Sequence, residues 1–434
     1  MARKTLTLTT AALTASALAL AGCSGSGDDE GGGGGGDTLR LWHYENPDSA
    51  MGVAWDRAIE IFEEETGATV EFEERSFEQI RTTASQVLNS DQAPDILEYN
   101  KGNATAGLLA SQGLLSPIDD AVEEYGWDEM LAPSLQTTAR YDDNGVMGSG
   151  SWYGIPNYGE YVQVYYNIDM FEEAGLEVPT TLEEFEDVLA AFADQGITPL
   201  SESAQEYPLG QLWYQLALTQ ADRDWVDAFQ TYTDEVDFTG PEISYATQTV
   251  ADWTEAGYIS TDATGLVAED AGVGFIDGSY PMFFSGSWWH GRFATEIQDF
   301  EWGTFLFPGA EMSPGSSGNL WVIPERSANP DLAAEFIDIT MRPEIQNLMG
   351  NNGGVPVAAE PEAIEDEKST ELIENFNTLT DRDGLAFYPD WPTPTFYDDL
   401  NAGLQDLLNG TQSPEAIQEQ LGEQYRSGIE EYTE

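Results

Sequence analysis

The chain's 434 residues exceed what one ordinary hydrophobic core organises, so roughly two to three domains are expected. Hydrophobic residues at 41% and aromatic residues at 12% place it among globular proteins. Against 15 Lys and Arg stand 79 Asp and Glu; the resulting −64 repels nucleic acid and anionic lipid and excludes both as binding partners.

Residues 1–22 read as a leader: Arg3 and Lys4 open it, and residues 5–20 form an Ala- and Leu-rich run too short to span a bilayer comfortably. The run ends in Leu20-Ala21-Gly22-Cys23, which resembles the lipobox of bacterial lipoproteins. Cys23, the only cysteine, is then expected to carry the lipid and hold the protein at the extracytoplasmic face of the cell membrane. Residues 23–37 are a Gly/Ser/acidic tether with nothing to pack. Lys4, Lys101 and Lys368 are the only lysines, a usage that suits either a salt-adapted surface or an ordinary acidic secreted protein.

From Thr38 the pattern becomes that of folded elements. Residues 39–44 read as a strand, 51–65 as a helix with Trp55, Ile59 and Phe62 on one face, and 69–73 as a second strand after Gly67. A helix over 77–88 and a strand over 95–99 follow. Strand and helix alternate, which argues for an α/β region whose ligand site lies beyond the strand ends, here Tyr44 with Glu45 and Asn100 with Lys101. Residues 148–154 are a Gly/Ser break, and residues 154–160, punctuated by Gly and Pro, read as a hinge that feeds the strand 161–166. Thr180 or Thr181 caps a helix running to about 193. Further helical patterns cover 209–220, 244–256, 331–341, 342–350, 396–408 and 414–426. Residues 281–292 begin as a buried strand and break at Ser285-Gly286-Ser287, which places Trp288, Trp289 and His290 on a turn.

Several motifs, in order and spacing, are similar to those of the extracellular solute-binding lipoproteins of sugar ABC importers, the maltose-binding protein family. They are Ala93-Pro94-Asp95-Ile96, the run from Gln112 to Leu115, Gly154-Ile155-Pro156 ahead of Tyr166-Asn167, Gly286-Ser287-Trp288, and Gly353-Gly354-Val355-Pro356. The resemblance covers the chain from Thr38 onward. It implies two α/β lobes, each a mainly parallel sheet flanked by helices, joined by hinge crossings and closing on a carbohydrate. The expected N-terminal lobe is 38–155 plus 304–358; the C-terminal lobe is 156–303 plus 359–434. It also implies a monomeric receptor that delivers its solute to membrane-embedded ABC permease subunits.

No pattern for catalysis or a cofactor competes with this. His43 and His290 stand far apart, and a His-Glu-x-x-His motif, a nucleophile elbow and a phosphate loop are all absent. Asp381, Asp383, Gly384 and Asp390 match part of a calcium loop, but Leu379 occupies the first ligand position, so neither metal nor cofactor is expected. What recurs is an aromatic ring on a turn beside carboxylates or amides, the combination with which a pocket grips a polyhydroxylated ring. The candidates are Tyr44, Glu45, Asn100, Lys101, Glu206, Trp213, Trp288, Trp289, Asp390 and Trp391. Glu78, Glu160 and Trp288 match ligand-facing positions of the family. Trp213 sits in an apolar pattern and serves a core equally well, and Trp288 with Trp289 could pack a domain seam. A secreted glycoside hydrolase, or a receptor for a peptide or polyamine, are the alternatives to a carbohydrate receptor.

Overall fold

The computed structural model describes residues 38–433; the leader, Cys23 and the tether lie outside them. Three strands open the fold: β1 (Thr38–His43), β2 (Thr69–Glu74) and β3 (Ile96–Tyr99). The helix Ala50–Thr66 returns the chain from β1 to β2. Ser49 accepts the Gly52 amide at 3.0 Å at its start, and Gly67 ends it at φ 70°, a conformation that glycine adopts without a Cβ penalty. Its buried residues include Ala54, Trp55, Ala58, Ile61 and Phe62, the helical spacing of one apolar face. The helix Phe77–Leu88 buries Ile80, Ala84 and Leu88 in the same way and is capped by Ser76.

The chain then forms the small pair β4 (Arg140–Tyr141) and β5 (Ser151–Trp152), the short β6 (Ile155–Pro156) and the ten-residue β7 (Tyr158–Asn167). β8 (Leu200–Ser201), β9 (Met282–Gly286), β10 (Trp302–Phe305), β11 (Gly315–Ser317), β12 (Leu320–Val322) and β13 (Val355–Pro356) complete the strands. One sheet has the order β2-β1-β3-β12-β6, and the other β10-β7-β9-β8, with β11 and β13 also on β7. β7 is buried over all but one residue and paired on both edges; its burial shows none of the alternation of a strand with one solvated face, so both of its faces are covered.

In the first sheet the expected parallel pairing holds for β2, β1 and β3. β12 and β6 are antiparallel, and in the second sheet only β8 and β9 run parallel. β7 enters the second sheet from the first, and so crosses it against β9, β10, β11 and β13. Parallel pairing needs a long crossover, and β8 and β9 have one that contains the helices Tyr207–Leu218 and Pro241–Glu255.

Residues 155–160 pass from one sheet to the other. Between them Asn157 is pinned by Thr340 at 2.9 Å and by Gln346, which donates to its carbonyl at 2.7 Å. The return passage lies between Ser317, still paired with β7 in the second sheet, and Leu320, already in the first; a boundary at 303/304 falls inside β10. The helix Glu367–Asp381, which the hydrophobic pattern did not suggest, packs Phe376 against Tyr161 of β7. It also buries Leu379, and Asp383 beyond it pairs with Arg223 at 3.1 Å. Among the described residues no helix is long and apolar enough to cross a membrane.

Candidate functional site

A cavity of about 350 Å³ opens between the two sheets. The first sheet sends in Tyr44 and Glu45 from beyond β1, and Asn100 and Lys101 from beyond β3, so these strand ends do lie at a cavity. Glu160 enters from β7, Trp288 and Trp289 from the turn after β9, and Glu206 with Tyr207 from the start of the helix Tyr207–Leu218. Glu78, Asp390 and Trp391 complete the expected group. Trp213 is the exception. It is fully buried on that helix, its indole N–H donating to Thr247 at 2.9 Å, because its side of the helix faces the helix Pro241–Glu255.

Two indole rings lie on glycines. A Cβ at Gly286 would fall 1.9 Å from a Trp288 ring carbon, and one at Gly102 would fall 2.4 Å from Trp391. Gly102 also sits at φ +106°, so glycine is required there twice over. Trp288 stays partly exposed, with Tyr207 edge-on at 5.7 Å, whereas Trp391 is 1% exposed and packs on Tyr388. Trp289 lines the cavity only as the rim of a core: its ring stacks on Phe293 at 5.6 Å and fills the space a Gly272 side chain would take.

The interior is charged. Buried Lys101 pairs with buried Glu160, reaches Asn319 at 3.1 Å, and lies 5.2 Å from the centre of the Tyr388 ring. Asn319 donates onward to the Tyr158 hydroxyl at 2.7 Å. Burial raises the Glu45 and Glu98 carboxyls; Glu160 adds to the shift at Glu45, and Glu45 to that at Glu98. Burial also pushes Asp390 up to about 6. At the rim Glu78 accepts from Tyr397 at 2.7 Å and Arg81 at 3.0 Å, and Arg81 extends to Asp398 at 2.9 Å.

Tyr207, the ring beside Glu206, lines the cavity too, and Gln211, Arg292, Asn319 and Tyr388 do so without having been expected. Gln211 sits within an apolar helical run and carried no turn or aromatic signal; Asn319 lies in the Gly/Ser-rich passage from β11 to β12, and Tyr388 stands two residues before Asp390. Both histidines are packing residues held neutral by burial, His43 down to about 3 and His290 down to about 4. His43 stacks on Phe72 at 4.2 Å and His290 lies edge-on to Trp302 at 5.0 Å. Among the described residues no group of three or more His, Cys, Asp or Glu is placed to hold a metal ion.

Two α/β sheet assemblies joined by crossing segments, with one cavity drawing side chains from both, define a two-lobed solute-binding protein. The chain belongs to the bacterial extracellular solute-binding protein family, which it matches over residues 57–377. It is 25% identical over 207 residues to a probable sugar-binding periplasmic protein of Rhizobium meliloti; the match covers 47% of this chain and about half, 48%, of that relative. In three dimensions it resembles a chitin oligosaccharide binding protein with a TM-score of 0.77 at 22% identity, covering 91% of this chain and 99% of that one. The acarbose-binding GacH receptor of Streptomyces glaucescens gives a TM-score of 0.72 at 19% identity, again with 91% and 99% coverage.

Proposed function

We propose that the protein is a non-enzymatic carbohydrate receptor that hands its solute, an oligosaccharide, to the permease subunits of an ABC importer. The observation that carries this reading is Trp288: a partly exposed indole face held flat on Gly286 in a cavity that also presents carboxylates, amides and phenols. The indole suits the C–H face of a sugar ring, and the polar groups around it suit hydroxyls. The relatives described as sugar-binding support the same solute class.

The site comprises Tyr44, Glu45, Glu78, Asn100, Lys101, Glu160, Glu206, Trp288, Trp289, Asp390 and Trp391, with Gln211 added. The lobes divide within residues 155–160 and again between 317 and 320, and these crossings act as the hinge. The receptor works as a monomer on the outer face of the membrane, anchored through lipid on Cys23. Replacing Cys23 with Ala releases it from the membrane fraction; retention of that variant overturns the anchor.

The solute class is tested by thermal-shift screening over oligosaccharides, followed by calorimetric titration. A ligand at a hundred times its Kd raises stability by about 2.7 kcal/mol, a readily measured shift. Stabilisation by peptides and not by any saccharide overturns the reading, as does turnover of a glycoside.

A further inference from the structure

The cavity's hydrogen-bonding groups are unevenly supplied. Its cations are already engaged: Lys101 by Glu160 and Asn319, and Arg292 by Glu269 and Glu296, each at 2.8 Å. Arg81 at the rim is held by Glu78 and Asp398. Glu45, Glu206 and Asp390 line the same space and form no ion pair among the described residues; Glu206 accepts the Ala268 amide at 2.8 Å and meets no cation. Beside them Gln211 is 4% exposed, lines the cavity, and leaves its side-chain carbonyl oxygen without a partner among the described residues. The Tyr44 and Tyr388 hydroxyls and the Trp289 indole N–H are likewise without a partner among the described residues, but they carry no charge; the charged groups left without an ion partner are the three carboxyls.

We propose that the solute is a saccharide bearing a free, protonated amino group, bound against Glu206, Asp390 and the Gln211 carbonyl with its ring on Trp288. This rests on the carbohydrate reading above. A hydroxyl offers one proton and no charge, and when a solute displaces the water over these carboxylates it leaves their charge uncompensated. An ammonium offers three donors, no acceptor and the missing counter-charge, and it is attracted to an indole face. Three groups then respond to pH, the first being Glu206, which is raised by burial and faced by Glu78, Asp270 and Glu269. Asp390 is faced by Lys101, Arg81 and Glu160, and Glu45 by Glu98, Glu160, Lys101 and Ser49. Burial holds both carboxyls partly protonated under mild acid, and an arriving ammonium draws those protons off.

The test is calorimetric titration of the full protein with matched sugars: glucosamine, N-acetylglucosamine and glucose, galactosamine and galactose, and short oligomers of the first two. The free amine is expected to bind at least about tenfold tighter than its N-acetyl or hydroxyl twin. That margin shrinks as pH falls from about 7 to about 5, and titration in two buffers registers proton release for the amine alone. Glu206→Gln and Asp390→Asn each shrink the margin between the amine and its neutral twin, whatever either substitution does to the neutral twin's own affinity. Equal or tighter binding of the neutral twins overturns the amino sugar and leaves the carbohydrate receptor standing. Binding of spermidine with no saccharide bound overturns both. Absence of binding by every amino sugar overturns the proposal, and the two-buffer measurement keeps it falsifiable should a variant fail to fold.

Discussion

Lys101, just beyond β3 of the first sheet, and Glu160, in β7 of the second, form a buried ion pair, with 2% and 6% of their side chains exposed. Lys101 is also the cation that opposes the raised carboxyls of Glu45 and Glu98. Two lobes are thus fastened at the centre of the cavity by one ammonium serving three glutamates.

Removing one member of a buried pair strands the other, at a cost of about 3–5 kcal/mol. Lys101→Met is expected to destabilise the protein more than Glu160→Gln, because it leaves Glu45, Glu98 and Glu160 without their common cation. The double variant recovers part of the loss. Urea unfolding of all four proteins in a double-mutant cycle measures this; additive single effects would show that the pair contributes no coupling.

A second prediction concerns Glu202, a carboxyl buried just after β8 with no ion pair among the described residues. Burial raises it well above its ordinary 4.5, so the folded protein holds a proton that the unfolded chain releases. The folded state then binds more protons, and stability falls as pH rises from about 4.5 toward the folded value. Glu202→Gln removes that slope and is more stable than the parent at neutral pH. Unfolding midpoints across this range check it, and a variant with an unchanged slope would put the pH dependence elsewhere.

Much of this arrangement was legible because strand ends and turns announce themselves. The Gly286-Ser287-Trp288 break, the Pro/Gly crossing at 155–160 and the polar strand ends at Glu45 and Lys101 all lie where the hydrophobic period stops. Gln211 and Trp213 show the limit. Both lie on the helix Tyr207–Leu218, every residue of which from Pro208 on is buried, so no amphipathic stripe distinguished the side facing the cavity from the side facing the core. Strand direction in the second sheet was hidden for a related reason. β7 pairs with four strands drawn from residues 282 to 356, and local periodicity carries no information about partners so distant in the chain.

Gly286 supplies a third prediction. Its φ of −79° suits any residue, so Gly286→Ala leaves the backbone unstrained, but the new methyl occupies the place of the Trp288 ring. The ring must swing away from its seat. Affinity for the best saccharide is expected to fall about tenfold or more while the fold persists. Calorimetry together with tryptophan emission checks this, and unchanged affinity would mean that the indole orientation does not matter.

The last prediction sets two tryptophans against each other. Trp288 is partly exposed in the cavity on a glycine seat, while Trp213 is enclosed and bonded to Thr247. Truncating a buried tryptophan costs about 3–5 kcal/mol of folding stability, because the cavity left behind relaxes only partly and the Thr247 hydroxyl, which keeps its bond to the Ile243 carbonyl, loses the donor it accepts from. Trp213→Ala should therefore shift the urea midpoint strongly, and the molecules that remain folded should bind with near-parental affinity. Trp288→Ala should do the reverse, losing roughly 2–4 kcal/mol of binding, about thirty- to a thousandfold in Kd, with a smaller change in midpoint. Both quantities are measured on both variants, binding by calorimetry and stability by denaturation without ligand. A Trp288→Ala protein that binds normally and unfolds easily would make this indole a piece of core and remove the platform on which the carbohydrate reading stands.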